Sequence, residues 1–148
     1  MISFAEKAAH VDEILFSTND SFDLDKITLF SICETDKIND EGELIGTLVL
    51  ASTDDDMWTL INKSDTVNIA RASDYIAIVM SGWAAPNSDT IPSESFGRKR
   101  VRILQFASSE GQVSVMRFED DPTEQYCDDA VTGDFADQIS KLMKRAGK

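Results

Sequence analysis

The sequence predicts an α+β fold: a mainly antiparallel sheet of about four to five strands, with N-terminal, central and C-terminal helices. Three observations carry that expectation. Residues 4–15 place apolar side chains at helical spacing behind a capping signal. Residues 98–107 and 112–119 are β-rich runs joined by Ser108-Ser109-Glu110-Gly111, a connection short enough for a hairpin. Residues 135–143 return to helical spacing. At 148 residues and 42% apolar content, one domain spanning residues 1–148 has enough material for a core.

Taken in order, Ser3 and Glu6 form a capping box, and Phe4, Ala8, Val11, Ile14 and Leu15 make one stripe on the helix that follows. Residues 17–23 are a polar connector. Residues 26–33 read as a strand with apolar groups on both faces. Residues 35–43 read as a charged loop, and residues 44–51 as a second strand. Asp54, Asp55 and Asp56 precede Met57, Leu60 and Ile61, as acids precede a short helix over 54–63. Residues 64–73 fit either a second short helix or a loop. Residues 75–83 form a strongly apolar strand, and residues 84–97 a long loop bracketed by Pro86 and Pro92. Residues 120–132 read as an acidic connector, after which Asp134 caps a last helix carrying Phe135, Ile139, Leu142 and Met143 on one face. Lys141, Lys144, Arg145 and Lys148 complement the partial negative charge at its end.

Charge is divided unevenly. Residues 1–70 hold 4 Lys/Arg against 15 Asp/Glu, and residues 71–148 hold 10 against 12. Four of those ten cations are Arg98, Lys99, Arg100 and Arg102. An acidic body with a pI near 4.3 argues against direct nucleic-acid binding and against docking on anionic lipid. No apolar run is long enough to span a bilayer, and the first residues lack the pattern of a secretory signal, so a cytoplasmic location is expected. Cys33 and Cys127 are widely separated and form no Cys-x-x-Cys, which fits two reduced thiols.

The basic strip reads in two ways. A hairpin centred on Glu110-Gly111 sets Arg102 opposite Glu119 and Arg100 opposite Asp121, making a solvated face laced with ion pairs. Alternatively the guanidinium groups meet a carboxylate or phosphate of a partner. The second reading gathers Trp83, Asn87, Asp89, Arg98, Arg100 and Arg102 into a protein-binding site at the hairpin and the adjacent loop, because Trp and Arg are favoured interface residues. Trp83 also reads as a lid over the core.

Catalytic spacing is missing. The single histidine, His10, has no nucleophile pattern beside it, and no phosphate-binding loop, dinucleotide fingerprint or zinc-protease motif occurs. Residues 36–42 fail the calcium-loop pattern because Ile38 stands where an oxygen ligand is required. No cofactor and no resident metal is called for.

The run Gly82-Trp83-Ala84-Ala85-Pro86, a loop holding Pro92-Ser93, then Arg98-Lys99-Arg100-Val101-Arg102-Ile103 and a strand ending Arg117-Phe118-Glu119-Asp120, resembles small uncharacterised α+β proteins of bacteria and their phages. The resemblance covers the second half of the chain. It implies a recurring structural unit over residues 83–119 and no function. The expectation is a non-enzymatic acidic interaction protein. The alternatives are an acidic mimic of nucleic acid that inhibits a DNA-binding enzyme, and a metal-dependent enzyme acting on a phosphorylated or nucleotide substrate.

Overall fold

The helical stripe behind Ser3 folds as α1 (Phe4–Thr18), with Ser3 Oγ accepting from the Glu6 amide at 3.1 Å. A computed structural model describes this helix together with the rest of residues 3–24, 26–38, 44–54, 56–84, 99–128 and 133–148. The other elements are β1 (Ile27–Ile38), β2 (Leu44–Asp54), α2 (Met57–Asn62), α3 (Ser64–Ala72), β3 (Tyr75–Ala84), β4 (Lys99–Ser108), β5 (Gly111–Phe118), β6 (Asp121–Asp128) and α4 (Asp134–Arg145). The expected α+β class holds, with six strands in one antiparallel sheet ordered β2-β1-β3-β4-β5-β6.

The period-2 alternation of the strands divides the core into two layers. On one face Leu29, Ile76, Ile78 and Ala107 meet Leu60, Ile61, Ala70, Ile139 and Leu142 from α2, α3 and α4. On the other face Ile32, Ala77, Val79, Leu104, Phe106, Val113 and Val115 meet Ala8 and Leu15 of α1. β1 therefore does bury large groups on both sides, Leu29 beneath the three helices and Ile32 beneath α1. Asp56 caps α2, accepting from the Trp58 amide at 2.9 Å, and residues 64–72 resolve as a helix.

Five details depart from the sequence expectations. β1 continues to Ile38, pairing there with Leu44, so residues 35–38 are strand and not loop; residues 39–43 lie outside the described residues. Ile14 is 43% exposed, whereas Asp12 takes a place in the buried stripe. Residues 121–128 are not a connector but the edge strand β6, paired with β5 through Ser114↔Asp128, Val115↔Cys127 and Met116↔Tyr126. Gly133, with φ +108°, holds the N-cap of α4, and Asp134 is the helix's first residue. The β4–β5 hairpin closes with Ser108↔Gly111 around Ser109-Glu110, where Gly111 has φ +138°, a conformation that favours glycine. This shifts the register by two from the expected one, and Arg102 faces Arg117 instead of Glu119.

No helix among the described residues is long and apolar enough to cross a membrane.

Candidate functional site

Pairing two arginines across adjacent strands is unfavourable unless other groups balance them. The balance comes from α1 and the segment after it. Arg100, Arg102 and Arg117 lie on the sheet face that α1 covers, because they alternate with residues of the opposite layer.

Arg117, 2% exposed, uses all three of its nitrogens. Nε donates to Asp12 Oδ2 at 2.7 Å, Nη2 to Glu13 Oε2 at 2.6 Å and Nη1 to the Pro122 carbonyl at 2.7 Å. Its guanidinium carbon lies 4.2 Å from the centroid of the Phe16 ring. Gln125 of β6 joins the same network, Nε2 donating to Asp12 Oδ2 at 2.8 Å and to the Ala9 carbonyl at 2.9 Å. Desolvation pulls the Arg117 pKa down, but its hydrogen bonds and charge contacts with Asp12 and Glu13 outweigh that pull and raise it.

Arg102, 3% exposed, is held differently. Nη1 donates to the carbonyls of Asn19 and, at 3.1 Å, Ser21. The guanidinium carbon is 5.2 Å from the Phe16 centroid, on the ring that Arg117 also touches. Among the described residues no carboxylate contacts it; Asp12 and Asp20 act on it only at a distance, and burial foremost, then Arg117, holds its pKa below the usual arginine range. Nε is buried without a hydrogen-bond partner.

Arg100 stands at the sheet margin. Nε donates to the Phe22 carbonyl at 2.9 Å, and Nη2 pairs with Asp23, a side chain left 85% exposed. It is register-paired with Trp83, and its guanidinium carbon lies 4.6 Å from the indole centroid. Lys99 next to it bridges to Asp120 at 3.0 Å, both groups well exposed.

The sequence-level site is therefore divided. Trp83 and Arg100 come together at the end of β3 and β4. Arg102 is turned inward and fastens the 19–21 segment to the sheet. Asn87, Asp89 and Arg98 lie outside the described residues, as does the 85–98 stretch to which they belong. Three residues escaped the sequence reading: Asp12, Glu13 and Arg117. A signal for Asp12 was present, since it sits four residues after Ala8 and three before Leu15, inside an apolar stripe where a lone carboxylate requires a buried partner.

Beside Arg102, a cavity of about 210 Å³ opens between the C-terminal end of α1 and the sheet. Leu15, Thr18 and Asn19 line one side, Leu24, Thr28, Phe30 and Val79 the other, and Arg102 completes the wall.

Asp12 and Glu13 are both engaged by Arg117. His10 is exposed, and among the described residues no three His, Cys, Asp or Glu side chains gather as a metal ion would require. The chain matches no protein-family model, no curated protein and no solved structure.

Proposed function

We propose that this is a non-enzymatic interaction protein that binds a protein partner at the end of the sheet where β3 and β4 approach the 85–98 segment. The contacting side chains are Trp83, Asn87, Asp89, Arg98 and Arg100, and Arg102, turned inward, anchors the segment after α1 that carries Phe22 and Asp23 to Arg100. The observation that carries this reading is the Trp83–Arg100 pair. An indole and a guanidinium stack at 4.6 Å on directly opposed residues, at the margin of the sheet and beside a mostly exposed Asp23. Trp and Arg recur among residues that dominate interface energies, and a stacked, partly neutralised guanidinium loses less on desolvation than an isolated one.

The nucleic-acid-mimic alternative needs a long face of one sign. Among the described residues Asp12, Asp23, Asp54 and Asp120 are instead each held by a cation, respectively Arg117, Arg100, Lys63 and Lys99.

The test is affinity capture from bacterial cell extract with the wild-type chain and the Arg98→Glu/Arg100→Glu variant, followed by calorimetric titration of whatever the wild type retains. A partner whose affinity falls by about a hundredfold, the effect of roughly 2.7 kcal/mol, supports the assignment. Equal retention by both chains removes the site.

A further inference from the structure

β5 is covered unequally on its two sides. Val113, Val115 and Arg117, which face α1, are buried, whereas Gln112, Ser114, Met116 and Phe118, which face the other way, are only partly so. α4 reaches that second side at Gln112, whose Nε2 donates to the Ala136 carbonyl at 2.7 Å and to Ser140 Oγ at 2.9 Å. Farther along the strand the register lines up Met80, Ile103, Met116 and Tyr126 across β3, β4, β5 and β6. Phe118 stands beside this row, edge-on to Tyr126 with ring centroids 5.5 Å apart. Met80 still packs on the core beneath the three helices, but Ile103, Met116, Phe118 and Tyr126 belong to neither core layer. The first three keep part of their surface in solvent, and Tyr126 is 45% exposed.

A solvated sheet face carries polar residues at alternate positions, whereas this one carries a row of methionine, isoleucine and aromatic side chains. Met, Phe and Tyr are enriched where proteins meet, and Met adapts its shape to what covers it. The margin of the row is acidic. Residues 119–128 hold five Asp/Glu and no Lys or Arg. Asp121 pairs in register with Phe118, and both Asp121 and Glu124 are exposed without an ion pair among the described residues. An apolar centre with an acidic rim complements an apolar stripe flanked by cations. Three interstrand gaps of about 4.8 Å make the row about 14 Å long, between two and three turns of helix. A helical stripe at roughly i, i+3, i+7 and i+10 has that reach.

We propose that the Met80–Ile103–Met116–Tyr126 row, with Phe118, receives a basic amphipathic helix of a protein partner. The apolar stripe of that helix lies across the four strands, and its Lys and Arg side chains meet the acids of residues 119–128. This surface is on the opposite face of the sheet from Trp83 and Arg100, so it stands or falls apart from the site proposed above.

The test uses the full chain, isotope-labelled at its methionine methyl groups and followed by proton–carbon correlation NMR. The probe is a synthetic amphipathic peptide of leucine and lysine, long enough for about four helical turns. The expected result is a saturable shift of the Met80 and Met116 methyl signals, with Met57 and Met143, which lie in the core beneath the helices, unmoved. The same peptide with glutamate in place of lysine should not bind. Tyr126→Ser should weaken the lysine peptide about tenfold, equivalent to about 1.4 kcal/mol, and Asp121→Lys/Glu124→Lys by a similar factor. All three changes fall at exposed positions, and the charge variant carries the test should Tyr126→Ser not fold. No saturable shift with the lysine peptide overturns the proposal. Shifts that spare Met80 and Met116, or an affinity unchanged in both variants, mark non-specific attraction to an acidic chain and overturn it too. A shift of Met116 on concentrating the protein alone, with a doubled mass in sedimentation, assigns the row to a second copy of this chain and also overturns it.

Discussion

The two ends of α1 lie on the same sheet face, and each is held by a different kind of force. At the N-terminal end Phe4 packs on Phe106 with centroids 5.1 Å apart, Phe106 stacks on Tyr75 at 4.9 Å, and Ala8 is fully buried beside them. At the C-terminal end Asp12, Glu13 and Phe16 meet Arg117 and Arg102. The aromatic end is held mainly by area removed from water, with the ring pairs and the Lys7–Tyr75 hydrogen bond adding to it. The charged end is directional. A buried ion pair contributes little net stability beyond its desolvation cost, but removing one partner is severe. The contrast teaches that one end supplies adhesion and the other supplies alignment. The carboxylates of α1 fit only one placement of the helix over β4 and β5.

Asp12→Ala sharpens this comparison most. It leaves Arg117 buried with Glu13 as its remaining acid, and unfolding in urea should show a loss of about 3–5 kcal/mol. The joint Asp12→Leu/Arg117→Met replacement should recover most of that loss, because well-packed apolar groups can stand in for a buried pair. A single-variant loss below about 1 kcal/mol would break the distinction between the ends. Tyr75→Phe probes the aromatic end. It deletes the hydroxyl that accepts from Lys7 Nζ at 2.7 Å and keeps the ring stack, and the same measurement should give about 0.5–1.5 kcal/mol. Arg100→Met should cost least, about 1 kcal/mol or less, since Asp23 is largely in solvent. A small Arg100 effect also separates a binding defect from a folding defect in the partner test.

Much of the fold was legible in local chemistry. Ser3 and Asp56 announce their helices by capping, and the Tyr75–Ala84 run announces a core strand by apolar density. β6 was hidden because an edge strand with nearly all side chains exposed has no alternation to read; its pairing depends on the free edge of β5. The hairpin register was hidden for another reason. Ser-Ser-Glu-Gly allows two alignments that keep every residue on the same face, and each has local charge pairs, Arg102 with Glu119 in the expected one and Lys99 with Asp120 in the one that forms. In the register that forms, Arg117 meets Asp12, 105 residues away in sequence. The candidate site inherits this limit: Trp83 and Arg100 could be found from neighbours in the chain, whereas the arrangement beneath them rests on a helix from the opposite end.

The Arg102↔Arg117 pairing has a consequence for how the molecule assembles. A nascent β4–β5 ribbon has a competing alignment two residues out of step, in which Arg100 faces Asp121 and Arg102 faces Glu119. Docking of α1 rewards the final alignment, because there Asp12 and Glu13 meet Arg117. α1 thereby selects between two strand alignments, and a chain lacking residues 3–18 should show a larger share of the other one even where its β-strand content looks native.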